Sequence, residues 1–293
     1  MFKKILIASD LSPASDSVIT CMKGFKSLGV EEVILFYALG IRHLDSLKYL
    51  MEDSVKPALI KQQNTITKEG FNTTLEIAPG IPSEEIKRVA QQKDVSLIVI
   101  GSHGESAASH LLFRIGGVTS EVLHSHERPL LLIRTKVTEV NGEKCIEPSC
   151  IDFREKILFA TDFSDISLRA FKYVERIVED GCKNVTLLHV QGWAKNDKYL
   201  SNKLDVFKKV DKKRLELLKK VLIEKGAVDV EVKIPYGNPT QEILNESKNG
   251  YTLIVMGSQG RGFIKELFLG SVSHNVTRNA EVSVLLIPAL RLK

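Results

Sequence analysis

The sequence contains no apolar run near the ~18 residues that a membrane-spanning helix requires. Lys3 and Lys4 ahead of Ile5-Leu6-Ile7-Ala8 begin like a secretory signal, but Asp10 cuts the run short. These absences lead us to expect a cytoplasmic protein with no membrane partner. Cysteine is scarce. Cys21, Cys145, Cys150 and Cys182 are too few and too scattered for a disulfide framework. Cys145 and Cys150 share one segment, and no second pair completes a zinc site, so no metal is expected. Free thiols are the expectation, with a Cys145–Cys150 disulfide as the alternative. A strong charge of one sign is also missing, since 41 Lys+Arg against 36 Asp+Glu leaves +5. The stretch from Lys203 to Lys225 has nine basic and four acidic residues, so one helix could carry that whole excess. Its apolar residues Phe207, Val210, Leu217, Val221 and Leu222 fall near one helical face. Aromatics for bases to stack on are nearly absent among these lysines, which favours a solvated face over a nucleic-acid surface.

What is present is a repeat. The length of 293 residues allows two ordinary domains, and 43% hydrophobic residues can fill two cores. Lys4-Ile5-Leu6-Ile7-Ala8-Ser9-Asp10-Leu11-Ser12 returns at Lys156–Ser164 as KILFATDFS, an offset of 152. Leu97-Ile98-Val99-Ile100-Gly101-Ser102-His103-Gly104 returns at Leu253–Gly260, an offset of 156. The apolar run Leu130–Ile133 is echoed at Val284–Ile287. Three matches in one order imply two copies of one domain. We place them at residues 1–135 and 154–293, joined by a polar, irregular linker over 136–153.

Each copy alternates continuous apolar runs with longer helical patterns, the signature of an α/β fold whose parallel strands are buried on both faces. The second copy predicts strands near 155–161, 184–190, 228–234, 251–257 and 282–287, with helices near 165–180, 203–225, 239–248 and 270–280. The first copy predicts strands near 3–9, 32–38, 73–78, 95–101 and 130–134. Ser164-Asp165 and Asn238-Pro239 are helix-start signals.

Chemistry concentrates where strands end. Met256 and Gly257 close a buried-type strand, Gly260 follows, and after nine residues (261 to 269) Gly270-Ser271 opens a helix. Glycines there let the backbone bend tightly and approach a ligand, and a Gly-Ser helix start offers amides and a hydroxyl to an anion. In open parallel sheets ligands sit beyond the carboxyl ends of the strands, where the strand order reverses. Ala160-Thr161-Asp162 ends the first strand of this copy, and would share a crevice with Gly257 if the two strands are neighbours. Neither a Gly-x4-Gly-Lys-Ser/Thr string nor a complete Gly-x-Gly-x2-Gly occurs, because residue 265 is Lys.

Assembled, these residues resemble the universal stress protein family, in a tandem two-domain form. The second copy matches its nucleotide motif Gly-x2-Gly-x9-Gly-Ser/Thr at Gly257, Gly260, Gly270 and Ser271, and Leu187-Leu188-His189-Val190 also looks like the family. The resemblance implies two domains, each a five-stranded parallel sheet in order 3-2-1-4-5 with helices on both faces. It implies adenine held near Val190, ribose near Asp162 and Gly257, and phosphates cradled around Gly260, Gly270, Ser271 and Val272. Ala160, Thr161, Met256, Arg261 and Ser273 complete the implied site. The implied ligand is ATP or AMP, with Mg2+ admitted alongside ATP. Fifth strands commonly pair across a two-fold in the family, which implies an internal pseudo-dimer of the two copies and admits a homodimer.

The first copy departs from the motif. Position 114 is Arg, and the next glycines, Gly116 and Gly117, follow Gly104 after eleven residues (105 to 115). Gly117 stands for Ser271, Glu105 for Arg261 and Ala38 for Val190. Asp10 and Asp162 also read as elements of helix starts, and His189 as a partnered core histidine. His103, His110, His124 and His126 fit no metal-ligand spacing, and Trp193 and Tyr199 read as cover over the loop after the second strand. The expectation is a stress-response regulator whose second copy binds nucleotide while the first binds poorly or serves mainly as scaffold, with no catalytic residue identified. Slow ATP hydrolysis or phosphotransfer, and a ligand-free interaction scaffold, are the alternatives.

Overall fold

The structure, a computed structural model, describes residues 1–40, 45–102, 115–140, 143–148, 152–192, 204–260 and 269–289. Among these, 45–52, 136–140, 143–148, 204 and 205 are described by their backbone alone. Two compact units follow one another along the chain, the first ending at Asp152 and the second beginning at Phe153.

The first unit runs β1 (Lys4–Ser9), α1 (Pro13–Ile19), α2 (Met22–Ser27), β2 (Glu32–Leu39), α3 (Asp45–Lys68), β3 (Asn72–Pro79), α4 (Pro82–Gln92), β4 (Leu97–Gly101), α5 (Gly117–Ser125) and β5 (Leu130–Ile133). Its strands pair in parallel in the order β3-β2-β1-β4-β5. The second unit runs β8 (Ile157–Ala160), α6 (Asp165–Glu179), β9 (Asn184–Leu188), α7 (Leu204–Glu224), β10 (Asp229–Lys233), α8 (Pro239–Ser247), β11 (Leu253–Gly257), α9 (Ser271–Asn279) and β12 (Ser283–Ile287). Its parallel order is β10-β9-β8-β11-β12, the same topology. Both units have the expected 3-2-1-4-5 order, and the expected strand ends fall within two residues of the observed ones.

Successive strand residues point to opposite faces. Every residue of β4, β5, β8, β11 and β12 is buried, as expected of strands enclosed on both faces. The edge strands β3 and β10 instead mix buried and exposed positions. Helix starts follow local chemistry. Ser12 Oγ accepts from Ser15 N at 3.2 Å, Ser164 Oγ from Ser167 N at 3.3 Å, and Asn238 Oδ1 from Gln241 N at 3.2 Å. Pro13 and Pro239 occupy the first turn, where a missing N–H costs nothing.

Two expectations change. The segment read as an irregular linker contains an antiparallel hairpin, β6 (Thr135–Val140) and β7 (Glu143–Pro148), which lies against α1. Its polar residues hid the strand pattern, because a two-stranded ribbon can be solvated on one face. Cys145 lies on β7, and Cys150 lies outside the described residues. The second change concerns α7. Leu215 and Leu222 are fully buried, whereas Phe207, Val210 and Leu217 are 47%, 49% and 62% exposed. The helix therefore packs through a stripe that includes Leu215 and, of the residues on the expected face, Leu222, while Phe207, Val210 and Leu217 stay exposed. Apolar residues occupy more than one side of α7, so periodicity alone did not choose between them. No helix among the described residues is long and apolar enough to cross a membrane.

Candidate functional site

In both units the first strand lies between the second and the fourth, so the strand order reverses there and a crevice opens beyond the carboxyl ends. In the second unit Ala160 and Met256 sit side by side as register partners at that point. The turn after Ala160 is tied down on several sides. Thr161 N donates to Leu188 O at 2.9 Å, and Thr161 Oγ1 accepts from Phe163 N at 3.0 Å. Asp162 Oδ1 accepts from Ser164 N at 3.0 Å and from Ser164 Oγ at 2.6 Å. Asp162 thus shapes the entry to α6 while Ser164 caps it. Between them Phe163 has φ +60°, a left-handed conformation that a bulky residue adopts only at a cost of ~1–3 kcal/mol.

The three glycines of the motif do different work. Gly257 ends β11 against α6, where an added Cβ would lie 2.9 Å from Ile166 Cγ2 and 3.3 Å from the Ile166 carbonyl carbon. It is a packing glycine. Gly260 is exposed, and a Cβ there would lie 2.6 Å from Asp162 Oδ2, so the loop backbone meets the carboxylate across the switch point. Gly270 closes the loop: its N–H donates to Ser258 O at 2.8 Å, and Ser258 N donates to Ile287 O at 2.9 Å. Ser273 Oγ donates to Gly257 O at 2.9 Å, which commits that buried hydroxyl to the frame. Ser271 is exposed and Val272 half-buried in the first turn of α9. The N-cap is Gly270, which has no side chain to satisfy the first amides, so they remain available to an anion. Arg261 lies outside the described residues.

Val190 follows β9 and is half-buried. Beside it, His189 has a role that the sequence left unspecified. Its Nδ1 lies 2.8 Å from Thr161 O, its Nε2 3.5 Å from Asp211 Oδ2, and its ring 4.5 Å from the Phe163 ring. Gln191 Nε2 also donates to Asp211 Oδ2, at 2.9 Å, and the Arg214 guanidinium lies 4.0 Å from the Phe163 ring centre. Helix α7 is thereby fastened to the turn that holds Asp162. The reading of His189 as a partnered core histidine agrees with this geometry. Phe163, Asp211 and Arg214 were not foreseen; the only available signal was the recurrence of Asp-x-Ser in both copies. Trp193 and Tyr199 lie outside the described residues.

The first unit repeats the glycine-loop bonds and varies those of the Asp turn. Gly116 N donates to Ser102 O at 3.1 Å, Ser102 N to Ile133 O at 3.0 Å, and Thr119 Oγ1 to Gly101 O at 3.0 Å. Leu11 has φ +62°, matching Phe163. Asp10 Oδ1 accepts from Ser12 N at 3.1 Å and from Ser15 Oγ. A cleft of roughly 410 Å³ opens at this switch point, lined among others by Asp10, Phe36, Tyr37, Ile86, Ile100 and Gly117. His103 and His110 lie outside the described residues. His126 is buried with Nδ1 2.9 Å from Arg128 O, and burial pushes its pKa down.

Comparison with known proteins bears on the whole chain. A profile of the universal stress protein family matches residues 1–134 and again 154–288. Universal stress protein MJ0577 of Methanocaldococcus jannaschii is 31% identical over 159 residues, covering 46% of this chain and 97% of the relative. Universal stress protein YxiE of Bacillus subtilis is 33% identical over 145 residues, covering 45% and 97% respectively. The crystal structure of a universal stress protein from Archaeoglobus fulgidus aligns with 97% of this chain and 96% of its own, at 25% identity and a TM-score of 0.72.

Proposed function

The chain belongs to the universal stress protein family, and we propose that its second unit binds an adenine nucleotide, ATP or AMP, whose occupancy regulates the protein's associations. The observation that carries this reading is the approach of Gly260 to Asp162, 2.6 Å from the would-be Cβ to Oδ2, across the switch point. A bare amide loop facing a carboxylate suits a ligand with hydroxyls at one end and an anion at the other. On this reading Asp162 accepts from the ribose, and the segment at Val190 faces the base. Gly260, Gly270, Ser271 and Val272 surround the phosphates, with Arg261 beside them. Ala160, Thr161, Met256, Gly257 and Ser273 hold the frame. Mg2+ would arrive on the phosphates of ATP. Among the described residues no three His, Cys, Asp or Glu side chains gather to hold a metal by themselves.

The test is calorimetry of the full chain with ATP. One site per chain is expected. Gly260→Asp, which puts a second carboxylate beside Asp162, should weaken it by at least about five-fold, since like charges ~4 Å apart cost about 1–4 kcal/mol. Two equivalent ATP sites per chain would refute the assignment to the second unit. No binding heat and no thermal shift at millimolar ATP and AMP would refute nucleotide binding altogether. Mass spectrometry of small molecules released on denaturation gives an independent reading of the ligand.

A further inference from the structure

We propose that the outer edge of the second unit's sheet is a docking groove for an extended acidic segment of a partner protein, which adds to β10 as a further strand. Every residue that forms the groove belongs to the second unit and stands apart from the switch point, so the proposal does not depend on the nucleotide reading.

Strand β10 is paired on one side with β9, and among the described residues it ends the strand order. Asp229 N donates to Lys183 O at 3.0 Å, and Lys233 O accepts from His189 N at 3.0 Å. Asp229, Glu231 and Lys233 therefore turn their amides and carbonyls toward β9. The alternation of a parallel ladder turns those of Val230 and Val232 the other way, to the outer side. Such an edge is the template on which an extended peptide adds a strand.

Along this edge runs an open groove of roughly 720 Å³, with Val230 and Val232 on one wall and Lys208, Lys212, Glu216 and Lys219 of α7 on the other. Steps of four and seven residues put the three lysines on one stripe of the helix. Fully buried Leu215 and Leu222 hold α7 on the sheet, and Asp211 accepts from Gln191 at 2.9 Å, so the lysine wall keeps a fixed relation to the edge. Three lysines against one glutamate select carboxylates at those alternate positions of the added strand that rise toward α7. Asp229 and Glu231 also border the groove. Strand alternation places their side chains on the face of Lys233, which bonds Glu246 of α8 at 2.8 Å and Glu231 at 3.3 Å. The intervening positions of the partner therefore suit uncharged or basic residues. A second copy of this edge fits worse, because antiparallel pairing of two β10 strands across a two-fold keeps like faces together and sets the lysine stripe against itself. None of the described lining residues is aromatic, so the bases of a nucleic acid would find no ring to stack on.

The first unit caps the matching place with its own side chain. Counted back from Gly70 and Gly226, the glycines that follow α3 and α7, Gln63 corresponds to Lys219. Gln63 Nε2 donates to Thr73 O on the edge strand β3 at 3.1 Å. Asn72 N donates to Glu31 O, toward β2, so Thr73 faces outward as Val230 does. One unit covers an outward edge carbonyl with a glutamine, and the other has a lysine at that helical position. Docking is therefore assigned to the second unit alone.

The test is fluorescence anisotropy of the full chain with a short labelled peptide that alternates Glu and Thr. Binding should saturate below about 1 mM at one peptide per chain, and a peptide alternating Lys and Thr should not bind. Methylating the backbone nitrogens keeps every charge and removes strand pairing, so it should weaken binding at least about five-fold. Lys208→Glu combined with Lys212→Glu, both at exposed positions, should weaken it at least about four-fold. Val232→Pro removes an outward N–H that β9 does not use, which edge strands tolerate, and should weaken it about 2–13-fold. The inference is overturned if the Glu-Thr peptide does not bind, if its methylated form binds as well, or if the charge-reversed chain keeps the affinity. It is also overturned if a Val232→Pro chain whose melting curve shows it folded binds like wild type. An oligothymidylate that binds more tightly than the peptide, and loses its binding in the charge-reversed chain, would make the groove a nucleic-acid surface and overturn the assignment too.

Discussion

Replacing Gly257 by Ala should destabilise the second unit, and the structure indicates by how much and through which neighbour. The new methyl would lie 2.9 Å from Ile166 Cγ2, where carbon pairs prefer ~3.5–4.0 Å, and 3.2 Å from Gln259 O. It would also lie 3.3 Å from the backbone carbon of Ile166, so a rotamer change alone cannot clear it. Overpacking of this kind costs about 1–3 kcal/mol, equivalent to about 4 °C of melting temperature per kcal/mol in a domain of this size. Ile166→Ala removes the closest atom and leaves the two backbone contacts, so it should restore part of the loss. A double-mutant cycle in urea should therefore give a favourable coupling of about 0.5–2 kcal/mol. Gly260→Ala is the control. Among the described residues its methyl meets the Asp162 carboxylate alone, so nucleotide affinity should fall while stability in urea changes by less than about 0.5 kcal/mol. A Gly257→Ala protein as stable as wild type, or a cycle without coupling, would refute the assignment of Gly257 as a packing glycine.

Helix α7 provides a stability contrast: Leu215→Ala at a fully buried position should cost about 2–5 kcal/mol, whereas Leu217→Ala, at 62% exposure, should stay within about 0.5 kcal/mol in the same urea assay. On the second unit's edge, burial alone would raise the Glu246 pKa, but hydrogen bonds from Lys233 and Tyr251 reverse this and hold it below the usual range. That carboxylate's contribution is present above the unfolded value of ~4.3 and is lost as pH falls through the lower folded value. Glu246→Gln should therefore lower stability near neutral pH and flatten the loss on acidification, as followed by thermal melts from pH 7 to 3. Lys233, raised by its hydrogen bond to Glu246, contributes fully below ~10.4 and loses that contribution as pH rises through its folded value.

Some of this was legible in the order of residues, and some was not. The continuous apolar runs at Ile157–Ala160 and Leu253–Gly257 announced strands buried on both faces, and both are buried throughout. The matches at offsets of 152 and 156 announced the two copies, and a profile match in each half agrees. The hairpin β6–β7 was missed because its short, polar strands carry no continuous apolar run. The buried side of α7 was read only in part, through Leu222, because apolar residues lie on more than one side of it. Leu215 is buried and Leu217 is not, for reasons set by the sheet that the helix meets.

What the sequence determined by itself was local and periodic: strand and helix positions, the capping residues Ser12, Ser164 and Asn238, the repeat, and the spacing from Gly257 through Gly260 to Gly270. Such features depend on neighbours within a few residues, so a linear reading reaches them. Only the tertiary structure decided what each glycine is for. Gly257 makes room for Ile166, and Gly260 brings bare backbone to Asp162. Those differences depend on atoms about 90 residues away in the chain and within ~3 Å in space. No pattern of residue types encodes such a distance until the sheet brings the loops together.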